Sequence, residues 1–335
     1  MVRKIFATIF AILFVITAVV ALFVFNFDRR AFTAETYQKA FAKEDFYNQL
    51  PAALAEAMIS SGTDQSGFPI VMRGMSTEAW EAFYRALLPP ETLKVMGDDL
   101  LNSTFAYLNL QTDSAQLNLV PLKISLTSDT GVEAVFALLA TQPDCTLAQL
   151  GQMAFGLMSE QEMLLCNPPA EIAPLVAPVV QAQLQAATIA IPDQITIASA
   201  SADGTNDPRQ RLKIARLFMR LSPILPLTFL LALTIFAVRS LKSWLSWWGV
   251  SLFITGSIAF VMSLIGAPVF GAILERILVL RMPAYLPTIL LDYASDFASV
   301  MVQTLLSPVL WQGLIIAFVG FLMAIASYFF KQKTT

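Results

Sequence analysis

Few side chains in this sequence could carry out covalent or acid–base chemistry, and their types restrict it further. There is no histidine among the 335 residues. That excludes imidazole metal ligands, Ser-His-Asp and Cys-His catalysis, and an imidazole pH switch. Carboxylates, lysines, tyrosines and two cysteines, Cys145 and Cys166, remain. The cysteines lie too far apart for a C-x-x-C redox centre, and two thiolates alone do not complete a zinc site. They flank a predicted helix at 147–164, itself bracketed by Pro143 and Pro168-Pro169. That pattern reads as a disulfide closing a helical excursion, a bond that persists in an oxidising compartment. In the chain-entropy account such a closure stabilises by about 3 kcal/mol.

The acids are scattered, and Asp98-Asp99 stands alone as an adjacent pair in its region. They read as solvated helix residues and caps. No phosphate-binding glycine loop of the G-x-G-x-x-G or G-K-S/T type occurs. The sequence therefore nominates no catalytic residue, no metal ligand and no cofactor site.

A second set of candidate residues is physical in its action. Arg209, Lys213, Arg216 and Arg220 recur at helical spacing, with Leu212, Leu217, Phe218 and Leu221 between them. A basic amphipathic helix of this kind is suited to anionic lipid head groups, and these four residues are the expected head-group contacts. Trp244, Trp247 and Trp248 cluster beside Lys242 and read as an interfacial aromatic belt.

The elements that must position these residues are set by hydropathy. Hydrophobic residues make up 56% of the chain and charged ones only 13%, about half the usual charged share. Residues 5–27, 222–238, 249–270 and 309–330 carry no charge, and each approaches the length of a membrane-crossing helix. The expected fold is an integral membrane α-helical protein with four transmembrane helices. A large mixed α+β, mainly helical, extracytoplasmic domain is expected between the first two.

The boundaries follow: an N-terminal anchor at 1–27, the domain at 28–205, a basic amphipathic junction at 206–221, and a membrane domain at 222–335. The first span reads as an uncleaved signal-anchor, because its apolar core is long and no small-x-small cleavage site follows it. Basic residues hug both ends of the spans. The short loop with Arg239 and Lys242 holds no acid, which favours a cytoplasmic position for it. Residues 271–308 are expected to form an external amphipathic loop. In it Leu286, Ile289, Tyr293, Phe297 and Val300 recur at helical spacing, making a platform for the domain.

Within the domain, helices are expected over much of 34–59, from Ser76 to Pro89, from Glu91 toward Leu101, and at 150–158 and 176–187. Alternating stretches at 117–126 and 188–198 suggest a small antiparallel sheet at whose edges Pro121 and Pro192 sit. The net charge of −3 leaves no footprint for nucleic acid. Membrane lipid, a protein partner or a second copy of the chain are the partners implied. The leading functional expectation is a non-enzymatic envelope protein of the cell membrane whose external domain binds or organises a protein or lipid partner. The alternatives are a subunit of a transport or channel-like assembly, and a membrane-bound enzyme acting on lipid or cell-wall material.

Overall fold

The computed structural model describes residues 2–60, 75–146, 149, 166–200, 207–281 and 288–329. It is mostly helical, at 81%, and four of its helical stretches are long and apolar enough to cross a membrane. These are Arg3–Ala31, Pro208–Ala237, Leu241–Ile273 and Tyr293–Phe329, and they mark a multi-pass membrane protein.

The first helix, α1 (Val2–Ala31), runs unbroken through the first span. The second span is two helices, α9 (Pro208–Leu221) and α10 (Ile224–Ala237), joined at Ser222-Pro223. Alone, α10 is only about 21 Å long at 1.5 Å per residue, short of the roughly 30 Å hydrocarbon core. The last turn of α9 must therefore enter the apolar layer. Its Leu217, Phe218 and Leu221 are correspondingly exposed, Phe218 at 71%. Along the rest of the span α1 packs on α10. Phe10 stacks on Phe236, and Ala7, Phe14, Ala18, Leu230 and Leu233 make a buried seam.

The longest helices are α11 (Leu241–Arg281) and α12 (Thr288–Phe329), paired as an antiparallel hairpin. At about 60 Å each, they exceed the hydrocarbon core roughly twofold and must project well beyond it. This changes the expectation for 271–308. The helices continue through most of that stretch as extensions of the spans, with Pro268 and Pro308 held inside them. Residues 282–287, with Leu286, lie outside the described residues, as do the side chains of Ile289 and Asp292.

The projecting part of α12 packs against the helices that follow α1. Phe297 stacks on Phe41 at 4.5 Å and lies tilted against Tyr37, while Tyr293 meets Phe46 edge-on. Ala40, Val300 and Met301 are buried together beneath them. These partners come from α2 (Ala34–Lys43) and α3 (Phe46–Ser60), which follow α1 directly.

Next along the chain, α4 (Thr77–Leu87) begins at Ser76, whose Oγ accepts a hydrogen bond from the Ala79 amide. Its Trp80 is 2% exposed, stacks on Tyr84 and shares a core with Ala55, Met75 and Leu138. Pro89 and Pro90 separate it from α5 (Pro90–Leu108), with Pro90 in the first turn, where its missing N–H costs nothing.

The small sheet exists but is shorter than expected. β1 (Ser114–Asn118) and β2 (Gln194–Ser199) pair antiparallel, Ser114 opposite Ser199 and Asn118 opposite Gln194. Ser103 of α5 accepts from the Gln116 amide, which seats the sheet on that helix. The second half of the predicted strand at 117–126 is instead helix α6 (Val120–Thr127). Pro121 lies in its first turn, where a fixed φ favours helix initiation, and that outweighs a brief apolar alternation. Helices α7 (Asp129–Leu139) and α8 (Ala173–Thr188) complete the layer; α8 ends at Thr188, the first residue of the alternating stretch expected at 188–198, and strand begins there only at Gln194. The predicted helix between the cysteines falls almost wholly outside the described residues.

Candidate functional site

The densest polar constellation lies where α1, α5 and α9 meet. Asp28 sits one turn from the end of α1 and is only 2% exposed. Arg216 and Arg220 stand four residues apart on α9, hence on one helical face, and grip it from one side. Arg216 Nε lies 2.7 Å from Asp28 Oδ1, and Arg220 Nε lies 2.8 Å from Oδ2. Arg216 also donates to Asn109 Oδ1 and lies 4.6 Å over the Phe32 ring. A buried carboxylate is tolerable only when paired and hydrogen-bonded, and here both of its oxygens are engaged.

Asn109 is presented by the end of α5. Leu110 follows it at φ 60°, the left-handed position where glycine is usual. The Gln111 amide donates back to the Ala106 carbonyl, closing a Schellman-type turn. Placing a leucine there costs roughly 1–2 kcal/mol. The turn exposes Gln111 beside Asn109.

Arg209 is placed differently from the expectation. It is 5% exposed and faces protein, not lipid. Its Nε reaches both Asp207 oxygens, at 3.1 and 2.8 Å, and Nη1 donates to the Tyr107 and Thr112 carbonyls. The guanidinium also lies 4.3 Å over the Tyr107 ring. With its fork filled in this way, Arg209 fastens the start of α9 to the end of α5. The Arg209 hydrogen bonds hold the Asp207 carboxyl below the usual carboxylate range. Of the four basic residues, Lys213 and Arg220 remain outward-facing, and Arg220 is 59% exposed despite its bond to Asp28.

Lys213, Arg216 and Arg220 line a cavity of about 580 Å³ together with Phe32, Thr33, Asn109 and Gln111. The arrangement is cationic, walled by one aromatic ring, and placed at the level where α9 must enter the apolar layer. It can bind an anion. Nothing in it resembles a general acid–base pair, and among the described residues no group of three His, Cys, Asp or Glu could hold a metal.

The other predicted residues fall elsewhere. Cys145 and Cys166 are disulfide-bonded, 21 residues apart. The Cys145 amide donates to Asn167 O and the Asn167 amide to Pro143 O, so the backbone is clamped beside the bond. Trp244, Trp247 and Trp248 sit at the start of α11, half-buried. Trp248 donates its indole N–H to Thr234 at 3.0 Å, and Trp247 and Trp248 pack on the α1–α10 seam. Their rings thus serve helix packing as well as any interface.

Sequence reasoning missed two buried polar groups. The first is Asp28, to which hydropathy gives no role; its signal is an acid beside a span end matched by an i,i+4 arginine pair at the next span. The second is Asn26, 4% exposed, which exchanges amide hydrogen bonds with Gln312 of α12 at 2.8 and 3.2 Å. Compared with protein-family models, curated proteins and solved structures, the chain finds no match.

Proposed function

We propose that the chain is a non-enzymatic protein of the cell envelope. In this reading residues 28–205 form an extracytoplasmic domain inserted between the first two spans, and that domain binds or organises a protein or lipid partner. The observation that carries the proposal is its fixation at two separate places. The Asp28–Arg216–Arg220 cluster ties the α1 exit to the α9 entry, while Phe41, Tyr37 and Phe46 pack on the projecting end of α12. A domain fastened this way does not swing on a tether. It presents a fixed surface to a partner and passes a push on that surface to α1 and α12. The dispersed acids and the absent histidine agree with a binding role over catalysis.

The chain suits a direct test, because its only two cysteines are bonded to each other. A single cysteine at Asp113, whose side chain is fully exposed, should react with a membrane-impermeant maleimide in intact cells. One at Ser240, before α11, should react only after permeabilisation. The reverse pattern overturns the sidedness. A photo-crosslinking residue at Leu175 or Ile189, which are 74% and 84% exposed, should give one discrete adduct in cells. Its mass distinguishes protein from lipid. Absence of any adduct at both positions overturns the binding role.

A further inference from the structure

We propose that the cationic cavity between α1, α5 and α9 seats the head group of one anionic phospholipid, whose acyl chains lie in an apolar groove on the membrane side of the same helix pair. The groove, about 390 Å³, is lined by Phe23, Val24, Phe27, Met219, Val302 and Leu306 among others, without a polar side chain. Its link to the cavity is short. Phe27 of the groove meets Phe32 of the cavity edge-on, with centroids 6.0 Å apart. Met219 and Arg220 are consecutive on α9, one facing each space. From Phe27 to Phe23 the groove descends one turn of α1 into the apolar layer, about 6 Å.

The charges specify a phosphate. Against the one acid of the cluster, Asp28, stand Lys213, Arg216 and Arg220, with Arg29 and Arg30 exposed at the adjoining end of α1. Asp28 takes the Nε atoms of both arginines, and Arg216 is further occupied by Asn109. Arg220 lines the cavity and gives Asp28 its Nε, and its Nη atoms supply a planar fork matched to two phosphate oxygens. Lys213 lies two turns away on the same face, about 10 Å along the helix, so both long side chains can converge on one anion. Asn109 and Gln111 supply neutral contacts suited to a glycerol or other hydroxylated head. A soluble phosphate would use only the upper half of this arrangement. The adjoining apolar groove favours a lipid.

This inference names a ligand for the junction and does not depend on the domain recruiting a partner, so either can fail alone. The test is binding to the purified full-length protein, read by native mass spectrometry and by thermal shift. The probes are phosphatidylglycerol, phosphatidylcholine and glycerol 3-phosphate. Wild type should retain phosphatidylglycerol at least ten-fold over phosphatidylcholine. Lys213→Gln/Arg220→Gln, which keeps the Asp28–Arg216 pair, should abolish that preference. Lys213→Gln alone, at an exposed residue, should lower it several-fold and covers the case in which the double variant does not fold. Arg3→Gln/Arg239→Gln, in a separate basic cavity of about 500 Å³ at the other end of α1, should leave it intact. Undiminished preference in both junction variants overturns the proposal, as does its loss in the Arg3/Arg239 variant alone. Stabilisation by glycerol 3-phosphate equal to that by the lipid would make this a soluble-anion site and overturn the lipid assignment.

Discussion

The α11–α12 hairpin and the α1–α9 junction hold helices together by opposite means. In the hairpin the contact is made by what is missing. Gly249 faces Gly320, Gly256 faces Gly313, and Ser263 donates to the Leu306 carbonyl. These positions step by seven along both helices, so one stripe of small residues keeps the antiparallel backbones in touch through three levels. A Cβ on Gly256 would lie 2.2 Å from the Ala317 backbone nitrogen, and one on Gly320 would lie 2.3 Å from that of Phe253. At the junction the contact is made by long charged side chains around a buried carboxylate. The difference follows from the solvent. Between helices in lipid, apolar burial brings no hydrophobic gain, and close van der Waals approach takes its place. At the edge of the layer, water and head groups make charge affordable, and directional pairing becomes the stronger device.

The largest expected effect is at Gly256. Gly256→Leu should cost more than the roughly 1–3 kcal/mol of ordinary overpacking, because the atoms in the way are backbone and cannot rotate aside. Steric-trap or denaturant unfolding in mixed micelles measures it. Gly271→Ala, on the same helix with nothing within 4 Å of the added methyl, serves as the contrast. It should be neutral or stabilise by up to about 1 kcal/mol through helix propensity. Equal effects at the two glycines would mean that the stripe does not hold the hairpin.

Next comes the junction. Asp28→Ala leaves Arg216, which is 13% exposed, without its carboxylate, a loss expected to cost about 3 kcal/mol. Asp28→Asn, which keeps the shape and one acceptor, should cost less. A thermal midpoint unchanged in both would show that aromatic packing on α12 suffices to hold the domain.

The same contrast explains what could be read in advance. Spans were legible because lipid demands long uncharged helices, a demand visible in composition. The small residues of α11 and α12 were visible too, yet their pairing was not, since register depends on which helix lies opposite. The extent of α11 and α12 was hidden because their projecting ends carry charges and prolines that resemble loop signals. At the junction the basic periodicity of α9 was plain, whereas its use was not. Whether an arginine faces lipid or protein depends on Asp28 and Asp207, one distant in sequence and the other nearly adjacent. The strand at 121–126 was misread because six residues of alternation carry less information than one proline at a helix start.

The smallest effect tests the boundary between the two regimes. Asn26 and Gln312 form a polar contact inside the spans, where the hairpin logic would predict only small residues. Hydrogen bonds between membrane helices average about 0.6 kcal/mol and reach about 1.7, because the separated helices find other partners. Asn26 already has one: its Nδ2 also donates to the Leu22 carbonyl at 2.7 Å. Gln312→Leu should therefore cost about 1 kcal/mol, less than either substitution above. Asn26→Leu should cost a similar amount, and the double variant should fall short of the sum, since each single variant strands the other's amide. A double-mutant cycle read by unfolding in mixed micelles gives the coupling directly. A coupling near 1 kcal/mol makes the pair a modest fastener of α1 to α12. A coupling near zero leaves that contact to apolar packing alone. A value above about 2 kcal/mol would mean that the amides are shielded from every alternative partner, and that polar pairing outweighs small-residue packing within the spans as well as at their edge.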